Sequence, residues 1–393
     1  MAETPNIRAR LVELWSRVIS YSSSDKVYHN GDDNNYPERI KRVIHNSPTA
    51  KRAVQMMSKF LQGGGLANDY TIDELNGIML SDVHRDVCNS IAEQYGAFIH
   101  LQYGLKDGRI LPVRLKVLPY GECRISKEDD DKNRGMIVMG DYSSETNNRF
   151  MSSHKTNKTK TKQRRFYPFN NNEDVILAQI KRDADLAKLK DPTLEEMIKT
   201  YRGQVYHLNL TPEYVYAMSL FDSVYNDCDT EYRMSLYSNQ VVRNGFLGKI
   251  AVITAGLDDE TAEQVEADVQ SWLGAENSGS LYHLDVQSPV DNIDSVLHIK
   301  QLESQYDDTQ FDNLETRIRR NIIGAANNIP SALVSSDEGG ALFSGSGEQY
   351  KQMKLFYYEQ TEAERNAVER AFKSMGFPVA ILPITEPDKE IEP

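Results

Sequence analysis

Asn327-Asn328-Ile329-Pro330-Ser331-Ala332-Leu333-Val334-Ser335-Ser336-Asp337-Glu338-Gly339-Gly340-Ala341-Leu342-Phe343-Ser344-Gly345-Ser346-Gly347 is the stretch on which the reading of this chain turns. Before it, Phe311, Leu314, Ile318, Ile322 and Ala325 recur at three- and four-residue steps, which predicts a helix with one apolar side over 303–327. Pro330 ends that pattern, because proline disfavours helical geometry in the residue before it and has no N–H to donate. After it, a second long helix is predicted over 348–374. The Gly- and Ser-rich segment between them is pliable, yet it keeps Leu333, Val334, Leu342 and Phe343 to dock. A loop of that length inside a compact domain is usually a working part or a disordered one.

Working outward, the segment just before this block reads as a small β-α-β insert: a strand over 246–254, a helix over 258–273 and a strand over 280–286. Asp258, Asp259, Glu260 and Glu263 put negative charge at the start of that helix, where the helix dipole favours it. Upstream again, 212–243 is the longest helical candidate, with Pro212 in its first turn and Tyr214, Tyr216, Phe221, Tyr225, Tyr232 and Tyr237 spread around it.

Residues 1–211 read as a mixed α+β domain. A short amphipathic helix is expected over 7–19, and others begin near Pro37 and at Ser47-Pro48. Gly63-Gly64-Gly65 reads as a helix stop; no Gly-Lys-Ser/Thr follows and no strand precedes it, so a phosphate loop is not indicated. Thr71-Ile72-Asp73-Glu74 reads as a loose capping box opening a helix to about Gln94. The period then changes to two: 97–103 and 111–117 form a hairpin across Asp107-Gly108, with further strands at 123–125, 136–139 and 203–208. Between them, 141–172 is polar and carries Lys155, Lys158, Lys160, Lys162, Arg164 and Arg165, read as a solvated loop or a contact for an acidic partner or phosphates.

The 393 residues carry a net charge of −13 and 39% apolar residues, which fits a multidomain protein with ample core and a poor general grip on nucleic acid. Cys88, Cys123 and Cys228 lack any paired spacing, so neither a zinc site nor a disulfide framework is expected. No secretory signal and no membrane span is expected, since no apolar run is long enough. No metalloprotease motif or nucleophile elbow occurs, and the pairs Asp129-Asp130, Asp258-Asp259 and Asp307-Asp308 read as solvated or capping groups. No cofactor, metal or catalytic residue is expected. Two alternatives stand beside a purely structural protein: an enzyme whose site is spread over the α+β part around His84, Asp86 and Glu93, or a scaffold or adaptor of another assembly.

The order of these parts resembles the portal proteins (head–tail connectors) of tailed double-stranded DNA bacteriophages. Local text resembles that family too: Ser47-Pro48-Thr49-Ala50 through Phe60 to Leu66, Tyr95 to Leu101, Gly108-Arg109-Ile110, Val117-Leu118-Pro119, Gln310-Phe311 through Arg317 and Ile322, Asn328-Ile329-Pro330, and Glu348-Gln349 resuming a helix. The resemblance implies an α+β wing over 1–211, stem helices over 212–243 and 302–329, and a clip over 244–301. It further implies a tunnel loop over 330–347, a helix behind it over 348–376, and a C-terminal tail over 377–393 with the crown minimal or absent. In that arrangement Ser335, Ser336, Asp337, Glu338, Gly339, Gly340, Ser344 and Gly345 face the DNA channel, and Asp258, Asp259, Glu260 and Glu263 face the motor or adaptor. The implied assembly is a ring, usually of twelve copies, at one capsid vertex of the virion, built in the host cytoplasm. Its implied partners are double-stranded DNA, the terminase large subunit, the major capsid protein and a head–tail adaptor, with no membrane. Twelve copies at −13 each would carry about −156, a field that suits sliding DNA rather than capturing it. The basic segment 154–165 has no counterpart in that family.

Overall fold

The computed structural model describes residues 21–22, 26–73, 76–106, 108–127, 135–140, 142, 163–243, 250–255, 281–286, 308–334 and 348–384. The helices expected over 7–19 and 258–273 lie outside them. The architecture is α+β, and the chain divides into two units: Met1–His45, Thr49–Tyr225 and Ile322–Pro393 form one, and Asn46–Pro48 with Asn226–Asn321 the other.

In the first unit, β1 (Tyr21–Ser22) and β2 (Val27–Tyr28) pair antiparallel. α1 (Tyr36–Asn46) buries Ile40, Val43 and Ile44. α2 (Pro48–Gln62) starts on its proline, buries Ala53, Met57, Phe60 and Leu61, and stops at the glycines as expected. Gly63 has φ +62°, and a Cβ there would lie 2.6 Å from Ile381 and from the Leu382 carbonyl. That close approach admits the segment 377–384, whose Leu382 carbonyl accepts from Gly64 N–H at 2.7 Å. The expected extended tail is thus docked over its described part.

β3 (Thr71–Asp73) and β4 (Ile78–Met79) replace the first turns of the helix expected from Thr71, and α3 begins only at Leu80, running Leu80–Gln94. The reason is tertiary. Asp73 pairs with Arg114 at 3.2 Å and accepts from Asn76 at 2.7 Å instead of capping a helix. Asp82 does the capping, accepting from Met79 N–H at 3.0 Å.

β5 (Gly96–Lys106) and β6 (Arg109–Leu118) form the expected hairpin, and β7 (Cys123–Ile125), β8 (Ile137–Met139), β9 (Arg164–Pro168) and β10 (Gln204–Asn209) complete a six-stranded sheet of order β6-β5-β10-β9-β8-β7. β5 is buried on both faces from Gly96 to Leu101, as a central strand should be, while β6 at the edge alternates. The only parallel step is β10 beside β9. α4 (Glu173–Leu186), capped by Asn172, and α5 (Leu194–Thr200), capped by Thr193, connect those two strands. Phe98, Leu118, Ile137, Phe166 and Val205 form the core of the sheet together with Tyr120, Tyr216 and Ala217. Arg124 is 1% exposed and has no carboxylate in hydrogen-bond reach among the described residues: it donates to the carbonyls of Gly121 (2.9 Å), Cys123 (2.7 Å) and Asn34 (2.5 Å) and lies over the Tyr142 ring.

The long helix expected from Pro212 begins only at Tyr225, as α6 (Tyr225–Arg243). Across 209–219 other groups take the backbone. Asn209 Oδ1 accepts from Thr211 N–H at 2.9 Å, Thr211 Oγ1 from Met218 N–H at 2.9 Å, and Tyr120 Oη from Ala217 N–H at 2.9 Å. The bonds of Ala217 and Met218 replace i→i−4 bonds that a helix from Pro212 would need.

In the second unit, β11 (Ile250–Ala255) and β12 (Leu281–Val286) run parallel in unbroken register, with Ile250 opposite Leu281. α7 (Asp308–Ala325) leads out of that unit into the first. α8 (Ser331–Val334), α9 (Glu348–Gln360) and α10 (Glu362–Ser374) follow. The single helix expected over 348–374 is two, because Thr361 turns out of line with φ −101° and ψ 13°.

One buried histidine, His84, and one half-buried, His207, predict acid sensitivity. His84 packs against the Phe372 ring, and His207 stacks on Phe98 at 4.3 Å and 7°. Burial pushes each imidazole down to about 4. With a folded value below the unfolded ~6.5, each contributes stability that is whole above that pH and is lost as pH falls toward 4, on the order of 3 kcal/mol per group. Melting temperature is therefore expected to drop steeply from pH 6.5 to 4.5, and the slope to flatten in His207→Gln. An unchanged slope in that variant would remove His207 from the account.

Candidate functional site: the frame around residues 335–347

The exit from α7 is built from two consecutive left-handed residues, Asn327 (φ 55°) and Asn328 (φ 52°). Asparagine tolerates that conformation, and Pro330 then prevents the helix from resuming. Asn328 N–H still reaches the Gly324 carbonyl at 3.1 Å, and Leu333 N–H the Pro330 carbonyl at 2.9 Å. Ile329 and Leu333 are driven into a buried cluster with Phe60 of α2 and Tyr357 of α9. The Phe60 and Tyr357 rings meet edge-on at 4.9 Å, and Tyr357 Oη donates to the Ala326 carbonyl at 3.0 Å. One apolar cluster thus holds elements on both sides of 335–347.

A polar network locks the same region. Glu364 of α10 is 5% exposed, and its Oε1 accepts from Tyr95 Oη and from Asn327 Nδ2, each at 2.8 Å. Its Oε2 is shut from solvent and has no hydrogen-bond partner among the described residues. Tyr95 is itself left-handed (φ 60°), an uncommon conformation for a bulky residue, and closes α3 by donating to the Ile91 carbonyl. Burial, and then the Glu364 charge, push its phenol up. Next along α10, Arg365 donates to Thr361 Oγ1 (2.6 Å), the Tyr358 carbonyl (2.5 Å) and the Phe60 carbonyl (3.4 Å), and lies over the Tyr358 ring. Those bonds occupy the groups at the α9–α10 break. Nothing in the sequence reading picks out Glu364, Arg365 or Tyr357, and Tyr95 figures there only as the start of a hairpin strand. The available signal was a Glu-Arg pair on the side of an amphipathic helix that continues as Val368, Ala371 and Phe372.

The residues singled out beforehand fall as follows. Ser335, Ser336, Asp337, Glu338, Gly339, Gly340, Ser344 and Gly345 lie outside the described residues, as do Asp258, Asp259, Glu260, Glu263, Lys155, Lys158, Lys160 and Lys162. Arg164 and Arg165 are not loop residues but open β9, opposite Met139 and Val138. Successive strand residues face opposite sides, so these two do not make one patch. His84, Asp86 and Glu93 do not converge: His84 Nε2 lies 3.5 Å from Cys88 Sγ, Asp86 is exposed, and Glu93 meets His45 at 3.3 Å. Among the described residues no three His, Cys, Asp or Glu side chains are grouped to hold a metal, and no helix is long and apolar enough to cross a membrane. A cavity of about 650 Å³ opens beside the sheet, lined by Tyr28, Ile125, Phe169, Val205, His207 and their neighbours. Its Ser126 Oγ is engaged by Met136 N–H at 2.9 Å, and among the described residues no carboxylate or thiol lines it.

No family model and no curated protein matches this chain. Among solved structures, it is similar to a chain from the neck of a native GTA particle computed with C12 symmetry, at 13% identity and TM-score 0.43, over 85% of this chain and 79% of that one. It is also similar to a chain from the virion of a native gene transfer agent particle, at 11% identity and TM-score 0.43, over 88% and 83%. A third likeness is to a chain from the neck of an empty GTA particle computed with C6 symmetry, at 12% identity and TM-score 0.45, over 88% and 83%. At that level the likeness is coarse.

Replacing Glu364 tests the frame. Glu364→Ala strands two donors and is expected to cost about 2–4 kcal/mol, whereas Glu364→Gln keeps a carbonyl for both and costs far less. Urea unfolding measures the difference, and amide exchange over 326–334 should quicken in the alanine variant alone. Equal stability of both variants with the wild type would show that the network fixes nothing.

Proposed function

We propose that the chain is a structural protein of a phage-type head–tail assembly, and within that class a portal: a ring at a capsid vertex through which DNA enters and leaves. One observation carries the reading. A long helix (α6), a parallel strand pair (β11 and β12), a second long helix (α7) with a proline-ended exit, and a further helix pair follow one another in the order that the family resemblance implies. The frame around Ile329, Leu333, Tyr357 and Glu364 supports it physically, since an element that meets moving DNA needs rigid attachment on both sides. In this reading α6 and α7 are stem helices, β11 and β12 belong to the clip, the six-stranded sheet is in the wing, and 335–347 faces the channel. Asp337 and Glu338 would keep phosphates from sticking there, and the glycines and serines would yield to a sliding duplex. The acidic residues 258–263 would then meet the packaging motor or an adaptor.

Electron microscopy of the purified chain tests the ring: particles with a central hole are expected, and a stable monomer or dimer would count against the proposal. Deleting 336–345 is expected to leave rings intact and to reduce packaged or retained DNA at least tenfold in a packaging assay. Undiminished packaging in rings lacking that segment would remove the role assigned to it.

A further inference from the structure

α7 and α9 each carry a polar stripe turned away from the residues they bury. On α7, Ile318 and Ile322 are buried, while Asn313, Arg317, Arg320 and Gly324 are exposed at spacings of four, three and four. Arg319 is paired with Glu315 at 2.5 Å. Arg317 and Arg320 have no carboxylate three or four residues away on their helix, and neither has an ion pair or hydrogen bond among the described residues. They stand three apart from each other, a like-charge spacing that weakens an isolated helix. Two exposed cations placed to repel one another point to an anionic partner outside the helix.

α9 offers the complement. Tyr357 is its one fully buried residue, and on the opposite side Glu348, Gln352, Leu355 and Glu359 repeat the spacing of four, three and four. Leu355 is 57% exposed, and neither Glu348 nor Glu359 has an ion pair or hydrogen bond among the described residues. Lys351 at the edge of the stripe is already engaged. Spacings of this kind form the seam along which two helices pack at a shallow crossing angle, and Gly324 leaves room for a large side chain. One stripe is basic, while the other is acidic with an apolar centre.

We propose that the α7 stripe of one copy docks on the α9 stripe of the next copy in the ring. The inference rests on the ring reading above and names the surfaces that close it. Each copy supplies one basic and one acidic stripe, so the contact is head-to-tail, the type that closes into a ring when its rotation is right. A protein partner suits the arginines better than DNA, because their spacing matches a helical stripe on a chain of net charge −13.

Charge exchange on the full chain tests this, with R317E/R320E and E348K/E359K purified separately and followed by sedimentation and electron microscopy. Each double variant is expected to keep its melting temperature and lose at least tenfold in ring fraction. Mixing the two in equal amounts should restore rings, because every junction in an alternating ring then joins opposite charges. Rings retained in both doubles, or no restoration on mixing, would overturn the interface while wild-type rings keep the ring reading. Rings retained in R317E/R320E with a loss of packaged DNA would assign the arginines to phosphates and overturn the interface as well. A monomeric wild type would overturn the ring reading, and the interface with it.

Discussion

Glu364 Oε1 is the point on which the centre of the first unit hangs. It accepts from Tyr95, which turns the chain from α3 into β5, and from Asn327, which turns the chain out of α7. Both residues are left-handed, at φ 60° and 55°, so each marks a reversal that a loose contact would not hold. A carboxylate buried at 5% exposure with its second oxygen unpartnered is a costly way to join three segments. A hydrophobic side chain would fill the space at lower cost but would fix neither reversal. What the acid adds is position: the start of β5, the exit of α7 and the seat of α10 are set by one atom.

The same principle recurs with other side chains. Arg124 and Arg365 are held mainly by carbonyls, and Tyr120, Tyr216 and Ser219 by backbone groups far away in sequence. Tyr216 Oη donates to the Tyr28 carbonyl and accepts from Ile125 N–H, which ties β2 and β7 to one phenol. Wherever such a side chain takes a backbone group, local propensity loses. That is why 212–224 forms no α-helix and keeps only a 3-10 turn at Leu220–Asp222, and why Thr361, whose hydroxyl donates to the Tyr357 carbonyl, divides the last long helix; Asp73 is drawn into a strand by side-chain partners instead, Arg114 and Asn76. Periodicity reports which residues are apolar and on what side. It carries no sign of a hydrogen-bond partner 188 residues away.

What was legible follows from the converse. The β5–β6 hairpin, the glycine stop after α2, the proline-ended exit of α7 and the two strands of the second unit rest on local chemistry or strong alternation, and all are present. Of the candidate site, the attachment residues Leu333 and Ile329 could be read as apolar groups needing a seat. Glu364 could be noticed only as a misplaced charge on an amphipathic helix, since nothing in one sequence links it to Tyr95 or Asn327. The basic stretch reads as loop to its end, yet Arg164 and Arg165 precede Phe166 and Tyr167, and those aromatics carry the pair into a strand.

β11 and β12 add a constraint on how the second unit is stabilised. They are parallel, so the chain must cross over between Ala255 and Leu281, and that hand is almost always right. Two strands alone are marginal in water, and parallel strands normally need cover on both faces. The second unit therefore depends on surface that its described strands do not supply.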